Sequence, residues 1–161
     1  MPPPLIRVWI SSAAVSAVTG DAELHFPNET GGVLMGYWSS GSEAVVTDSI
    51  DGGPLAQRER TSFYPDSEFQ ARAIEEIHKR SKGSLTYLGD WHTHPRGRLA
   101  LSPTDKATLR RIARTREARA GSPIMMLLAG DEQWSAAAWC LRGSGSLWRR
   151  LNVCQLVVYE R

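Results

Sequence analysis

The chain has 161 residues, the size of a single domain, and its apolar content of 42% is enough to build a core. This composition excludes a disordered or low-complexity protein, and no apolar run approaches the length that spans a membrane. The net charge is only +2, but it is unevenly distributed, because residues 96–119 carry eight basic and two acidic side chains. That local charge of +6 leaves −4 for the rest of the chain.

The first half of the chain predicts a strand, a helix, a hairpin of two strands, a loop and a second helix. In that order they cover residues 5–10, 12–25, 31–39 with 43–50, 51–62 and 65–81. Ser11 or Ser12 is expected to cap the first helix, and Asp66 or Ser67 the second. In the second helix, spacing places Phe69, Ala73, Ile74 and Ile77 on one apolar stripe.

The second half predicts a strand that Pro95 ends, a helix, a buried strand and a closing hairpin joined by Gly-Ser-Gly. They cover residues 84–94, 103–119, 122–130 and 134–142 with 146–153. The last residues, LVVYER, suit either a final strand or a tail. Because helices and strands mix without regular alternation, we expect one α/β domain over residues 1–161, a mixed curved sheet flanked by helices.

The two ends of the chain favour a cytoplasmic protein. The apolar stretch after the N-terminal prolines faintly resembles a signal peptide, but Arg7 is its only early charge, which makes a poor leader. Cys140 and Cys154 lie without CxxC spacing, so we expect buried thiols rather than a disulfide.

His92 and His94 lie one residue apart near the end of the predicted strand 84–94. Because side chains alternate along a strand, both imidazoles are expected on one face, together with Leu88 and Asp90. Asp90 is expected either to accept a hydrogen bond from one of these imidazoles or to be a solvated strand-end acid. Two neighbouring imidazoles can bind a divalent metal, but the H-x-H pattern alone is weak evidence.

The sequence SPTD, which spans Ser102 to Asp105, begins the next helix. A serine at the N-cap, a proline at the first helical position and an acid at the third form a good helix start by themselves. If this helix begins beside the histidine strand, Asp105 also becomes a third metal ligand, and Ser102 can donate to a developing oxyanion. Two histidines and one carboxylate leave a fourth tetrahedral position open, as in catalytic zinc sites.

Such a site also needs a general base, and Glu29 in PNETGGVLMG is the candidate. It precedes a Gly-Gly pair that opens a strand, and the glycines permit a close backbone approach. Composition alone does not distinguish Glu29 from the other glutamates. Thr30 and the Gly31-Gly32 backbone are also expected to be able to pair with an extended substrate tail by strand addition.

Taken together, these residues resemble the JAMM/MPN-plus (JAB) metalloprotease family. Its pattern is a glutamate before a G-x-L-x-G strand, then H-x-H-P, and then S-x-x-D with seven residues between the second histidine and the serine. The chain carries each element, at Glu29, Gly32, Leu34, Gly36, His92, His94, Pro95, Ser102 and Asp105. The resemblance covers residues 5–142, and the short GDWHTHP form is similar to bacterial members encoded beside ubiquitin-like conjugation genes, some in antiphage (CBASS-type) operons.

The resemblance implies an MPN fold, similar to that of cytidine deaminases. It implies Zn²⁺ bound by His92, His94 and Asp105, Glu29 as the general acid/base, and Ser102 as the residue that stabilises the tetrahedral intermediate. The implied reaction is hydrolysis of the peptide or isopeptide bond after the C-terminal tail of a ubiquitin-like protein. The implied partners are the ubiquitin-like protein, its conjugates, and E1- and E2-like enzymes encoded by neighbouring genes. The implied setting is antiphage defence.

Two other functions remain open at the level of sequence. The same chemistry could trim the C-terminus of a sulfur-carrier protein. Alternatively, the chain could be a binding module related to RadC-type proteins, in which the basic segment 96–119 meets nucleic acid. That segment lacks interleaved aromatic residues, so we expect a solvated helix face more than a nucleic-acid surface. Within it, Arg96 and Arg98 are expected either to hold a bound substrate tail or to be solvated.

Overall fold

The computed structural model describes residue 2, residues 4–143 and residues 149–161. In these ranges seven strands form a closed barrel, two short strands form a separate sheet, and three helices flank the barrel. The elements are β1 (Arg7–Ser11), α1 (Ser12–His25), β2 (Gly31–Ser40), β3 (Glu43–Ile50), β4 (Gln57–Arg58), β5 (Phe63–Tyr64), α2 (Ser67–Arg80), β6 (Thr86–Pro95), α3 (Pro103–Arg114), β7 (Ile124–Gly130), β8 (Trp134–Arg142) and β9 (Arg150–Tyr159). Within the same ranges, no helix combines the length and the apolarity that crossing a membrane requires.

The barrel strands follow the order β1-β3-β2-β6-β7-β8-β9, and β9 closes the barrel against β1. The β1–β3, β1–β9 and β6–β7 pairs are parallel, and the other pairs are antiparallel. This strongly curved, mixed sheet with flanking helices confirms the predicted α/β fold. The predicted hairpin of β2 and β3 is also confirmed.

Helix α3 is shorter than the periodicity predicted. It ends at Arg114 rather than at residue 119. Thr115 has extended backbone angles (φ −80°, ψ 112°), and its hydroxyl donates to the Arg111 carbonyl at 2.8 Å. A side chain that bonds the preceding turn in this way offers the backbone an alternative to a further helical turn.

The predicted loop 51–62 is not entirely irregular. Its residues Gln57 and Arg58 form β4, which pairs with Tyr64 and Phe63 of β5. Strands of two residues are too short to give an alternating pattern, so the sequence offered no signal for them.

The C-terminal hairpin of β8 and β9 is antiparallel as expected, and residues 156–159 belong to β9 rather than to a tail. The Gly-Ser-Gly turn predicted at 143–145 extends outside the described residues, because residues 144–148 are not described.

Each helix packs an apolar face on the sheet. The predicted stripe of α2 is confirmed, because Phe69, Ala73, Ile74 and Ile77 pack against Val33, Met35 and Ile50. In α3, Leu109 is fully buried and packs against Leu101, Met125 and Leu141. Burying one such leucine contributes roughly 1.5–3 kcal/mol. This contact packs the middle of α3 on the sheet beside the start of β7 and the end of β8.

The pairing of β2 with β6 brings distant sequence segments together. The two strands are antiparallel, so Gly31 at the start of β2 lies opposite His92 near the end of β6. Glu29 precedes Gly31 by two residues and is therefore placed at the same end of the barrel.

Candidate metal centre

The two histidines project from the same face of β6, as the alternation predicted. Between and before them, Thr93 and Trp91 are buried, with exposed fractions of 0% and 2%. The histidines themselves are only partly buried, and their Nε2 atoms lie 3.2 Å apart. Both imidazoles therefore present a nitrogen to the same point outside the core.

The expectation that Leu88 shares this face is wrong. The β2–β6 register shifts between Leu34 and Met35, whose partners are Gly89 and Tyr87, so β6 holds one extra residue there. A bulge of this kind reverses the faces of the residues that precede it. Leu88 consequently packs in the main core cluster beside Trp91.

Asp105 completes a group of three potential metal ligands. Its Oδ1 lies 3.0 Å from His92 Nε2, and its Oδ2 lies 3.4 Å from His94 Nε2. A tetrahedral zinc site with bonds of about 2.0–2.1 Å separates its ligand atoms by roughly 3.3–3.4 Å. The three donors therefore stand close to the positions of three corners of one coordination tetrahedron, and the residues present fit a divalent metal.

The start of α3 fixes the carboxylate of Asp105. Ser102 Oγ accepts the Asp105 N–H at 3.1 Å, and the Ser102 N–H donates to Asp105 Oδ2 at 2.7 Å. This is the complete capping box that the sequence predicted, with Pro103 at the first helical position. The cap and the ligand are thus one arrangement, because the helix start holds the side chain that faces the histidines.

A backbone carbonyl orients His94. Its Nδ1 lies 3.1 Å from the Arg98 carbonyl, which can only accept, so Nδ1 carries the proton and Nε2 is left to bind a metal. The turn that places this carbonyl includes Arg96, whose φ is +57° and whose N–H donates to the Gly130 carbonyl at 2.6 Å.

The side chain of Arg96 supports the same turn. Its Nε lies 3.2 Å from Asp131 Oδ2, and its guanidinium lies 5.2 Å from the centre of the Phe26 ring. The Arg96 side chain is 61% exposed, so it is a solvated loop charge that also supports the turn, and its contact with a substrate tail stays a prediction. The sequence also gave no indication that Arg98 contributes through its carbonyl rather than through its side chain.

The electrostatics of the group favour an ionised carboxylate. Burial acts to raise the pKa of Asp105, but the hydrogen bonds from His92 and His94 outweigh it and hold that pKa well below its usual range. The hydrogen bond to Asp105 in turn raises the pKa of His94, although burial opposes it.

Glu29 lies within electrostatic range of all three side chains. Burial raises its pKa above the ordinary value; the charges of His94 and His92 act to lower it, and that of Asp105 acts to raise it. Its backbone is held by the small sheet, because the Glu29 N–H donates to the Glu59 carbonyl at 2.7 Å. A half-buried glutamate with a raised pKa suits proton transfer near neutral pH.

The next residue, Thr30, is completely buried and links three elements. Its hydroxyl donates to Asp21 Oδ2 at 2.7 Å and accepts from Arg58 Nε at 2.9 Å. Its N–H donates to Thr93 Oγ1 at 3.0 Å, and its carbonyl accepts the Thr93 N–H at 2.9 Å. The segment that carries Glu29 is thereby fixed to the residue between the two histidines, a network that the sequence did not reveal.

The structure limits the expected strand addition at Thr30 and Gly31-Gly32. Thr30 is not available for it, because Thr93 uses both of its backbone groups. From Gly31 onwards β6 pairs with one edge of β2, whereas β3 pairs with the other edge only from Val33. Strand addition at the backbone of Gly31-Gly32 therefore stays a prediction.

Asp90 lies on the histidine side of β6, but its side chain bonds to a residue that the sequence did not predict. It accepts a hydrogen bond from the Tyr87 hydroxyl at 2.7 Å. Burial raises the pKa of Asp90, although this hydrogen bond opposes the change. Asp90 is therefore neither a solvated acid nor bonded to an imidazole in this structure.

Comparison with known proteins identifies the family to which the chain belongs. Residues 11–142 match the family model of prokaryotic homologs of the JAB domain. The chain is 45% identical over 145 residues to the probable metalloprotease y4qB of Sinorhizobium fredii, covering 89% of this chain and 86% of that protein. It is also 30% identical over 129 residues to a CD-NTase/cGAS isopeptidase of Enterobacter hormaechei, covering 79% and 69% of the two chains.

The fold also has a counterpart among solved structures. A solution structure of a Desulfitobacterium hafniense protein superposes with a TM-score of 0.69 and covers 96% of this chain and 94% of its own. Its sequence identity of 18% supports a likeness of fold alone. Since the family model spans most of the chain and a metalloprotease matches nearly all of it, the chain belongs to the prokaryotic JAB-domain family and is a JAMM-type hydrolase.

Proposed function

We propose that this protein is a zinc-dependent peptidase that cleaves the peptide or isopeptide bond after the C-terminal tail of a ubiquitin-like protein. The observation that carries the proposal is the group of three donors, His92, His94 and Asp105, with interatomic distances of 3.0–3.4 Å and Glu29 beside them. The names of the relatives support a proteolytic and isopeptidase activity in this family.

The proposed metal ligands are the two Nε2 atoms and the Asp105 carboxylate. Two imidazoles and one carboxylate are a donor set that zinc accepts, and they leave a fourth position for water or substrate. A zinc ion bound there would polarise the scissile carbonyl and make water a better nucleophile. The Arg98 carbonyl and the Ser102 N–H orient the ligands from behind.

In this proposal Glu29 is the general acid/base. Its carboxylate accepts a proton from the attacking water and then delivers that proton to the leaving amine. The raised pKa of Glu29 brings its proton affinity closer to what both steps require at neutral pH. The network around Thr30 keeps the residue in place, because an unfavourable shift of even 1 Å weakens such a transfer.

Ser102 is proposed to stabilise the oxyanion of the tetrahedral intermediate. The cap uses a lone pair of its Oγ, which accepts from the Asp105 N–H. The hydroxyl proton is not used by the cap and can be donated to the developing negative charge. One hydroxyl can therefore hold the helix start and the oxyanion at the same time.

The substrate side of the proposal rests on the relatives. The proteins of Enterobacter hormaechei and Vibrio cholerae are named CD-NTase/cGAS isopeptidases and are 30% and 36% identical to this chain. By that likeness we propose that the conjugate cleaved here joins a ubiquitin-like tail to a CD-NTase, in antiphage defence. We further propose that residues 1–161 form a single catalytic domain that acts in the cytoplasm with E1- and E2-like enzymes as neighbours.

The test is hydrolysis of a ubiquitin-like protein fused through its C-terminal tail to a reporter, and of the same tail linked to a lysine. Mass spectrometry locates the cut, which is expected directly after the tail. Glu29→Gln should lower the rate by at least about a hundredfold, because it removes the base. Glu23→Gln, a matched change at an exposed glutamate of α1, should not. An intact fusion after incubation with folded, zinc-loaded protein would contradict the proposal.

A further inference from the structure

A cavity lies far from the candidate metal centre. Its volume is about 350 Å³, and it is lined by the end of β2, the start of β6, the turn of residues 119–122 and Arg142. The metal centre lies at the opposite ends of β2 and β6. The run from His92 back to Thr86 spans roughly 20 Å at about 3.3 Å per residue. The cavity is therefore not part of the site already described.

The charged residues in its lining are all cationic. Arg119 and Arg142 are the two ionised side chains, and the described lining contains neither aspartate nor glutamate. Within the described ranges, neither guanidinium forms an ion pair with a carboxylate. The hydroxyls of Ser40 and Ser122 add further hydrogen-bond donors. A cavity with this lining suits a ligand that supplies negative charge and acceptor oxygens.

The fold holds the side chain of Arg142 and the backbone of Arg119, whose side chain is exposed. The Arg142 guanidinium lies 6.0 Å from the centre of the Trp38 ring, a distance that suits a cation–π contact. Arg119 has a left-handed backbone, with φ of +51°, at the start of the turn. That turn is tied down by Arg149, which lies outside the cavity and donates to the Gly121 carbonyl at 3.0 Å. A side chain placed in advance, as that of Arg142 is, loses less entropy when a ligand binds.

We propose that this cavity binds a small phosphorylated ligand of mononucleotide size. Planar guanidinium groups bind phosphate oxygens in pairs, which makes arginine well suited to phosphate recognition. The volume falls in the range of about 300–1,000 Å³ that is usual for small-molecule sites. Trp38 and Tyr87 add aromatic surface beside the cations, which suits a planar base.

This proposal is independent of the proposed peptidase activity. It gives a role to part of the basic segment 96–119, since Arg119 is the last basic residue of that segment.

The test is titration of the zinc-loaded, ¹⁵N-labelled protein with ATP, pyrophosphate and adenosine, followed by NMR. ATP and pyrophosphate should produce saturable shifts at the Gly41, Gly121 and Ser122 amides, and adenosine should bind much more weakly. Arg119→Gln and Arg142→Gln should each weaken ATP binding by about ten- to a hundredfold, the usual effect of losing a charge-assisted hydrogen bond. Arg72→Gln, which removes an equal charge from an exposed site on α2, should bind ATP as the wild type does.

Four results would overturn the proposal. The first is the absence of saturable shifts at these amides with both phosphate probes. The second is unchanged ATP affinity in the Arg119 and Arg142 variants. The third is adenosine binding as tight as ATP binding. The fourth is binding of a single-stranded oligonucleotide through these residues while ATP does not bind, which would assign the cavity to nucleic acid instead.

Discussion

At the scale of single residues, Ser102 and His94 differ in how far their roles could be predicted. The cap at Ser102 followed from residue types, because serine, proline and an acid at fixed positions stabilise a helix start in any protein. The carbonyl that orients His94 did not, because every residue has a carbonyl and only the turn through Arg96 decides where this one points. The same holds for the Thr30–Thr93 bonds, which join residues far apart in sequence.

Substitution of Ser102 can separate its two roles. Ser102→Ala should lower the free energy of unfolding by about 1 kcal/mol, because alanine cannot cap, whereas Ser102→Gly should cost only a few tenths. Both variants lack the hydroxyl, so both should lose about a hundred- to a thousandfold in kcat, the usual effect of removing one oxyanion donor. Urea unfolding and hydrolysis of the tail fusion measure the two quantities. A Ser102→Gly variant with wild-type kcat would limit this serine to capping.

At the scale of the elements, β2 shows why its glycines are needed. A Cβ at Gly32 would lie 1.8 Å from the Ile50 carbonyl oxygen and 2.6 Å from Trp91 Nε1. Trp91 Nε1 donates to that same carbonyl at 3.2 Å, so the space is filled by a hydrogen bond between neighbouring strands. The sequence predicted a close approach at this position but not its partner.

The sequence also predicted most strand positions, since these depend on local patterns. It missed β4 and the end of α3.

A matched pair of glycine substitutions tests this packing. Gly32→Ala should destabilise the fold by about 1–3 kcal/mol or more, because the added methyl forces β2 and β3 apart. Gly20→Ala lies on an exposed position of α1 with nothing within 4 Å and should stabilise the fold by about 0.8–1 kcal/mol. Both changes restrict the unfolded chain equally, so the difference reports on the folded state. Equal unfolding free energies for the two variants would refute the predicted contact.

At the scale of the whole molecule, barrel closure assembles the candidate site. Glu29 and His92 are 63 residues apart in sequence and meet because β2 and β6 pair. The site residues could be named beforehand because their pattern matches a family. The strand order could not, because the parallel contacts of β1 with β3 and β9 depend on long-range packing that local periodicity does not record.

Barrel closure also buries both thiols, which gives the stability a defined pH dependence. Cys140 and Cys154 are buried and free, as expected, and burial raises the pKa of each to about 12. The ordinary thiol pKa is about 8.5, so above that pH the unfolded chain loses protons that the folded protein keeps. The free energy of unfolding should therefore be unaffected by these thiols below pH 8 and fall as pH rises from about 9 to 11.

Urea unfolding at pH 8 and at pH 10 measures this effect. The fall between the two pH values should be smaller in the double variant Cys140→Ala, Cys154→Ala, whatever the cost of the substitutions at pH 8. An equal fall in both proteins would mean that the thiols are accessible to solvent in the folded state.

The most direct measurement is a zinc titration of EDTA-treated protein during hydrolysis of the tail fusion, in the wild type and in Glu29→Gln. The wild-type rate should rise from near zero and level off at about one equivalent of zinc, the capacity of one three-ligand site. Glu29→Gln should bind the same single equivalent, because it retains His92, His94 and Asp105, and should remain at least about a hundredfold slower. Full activity without zinc, or a Glu29→Gln rate equal to that of the wild type, would contradict a metal centre with Glu29 as its base.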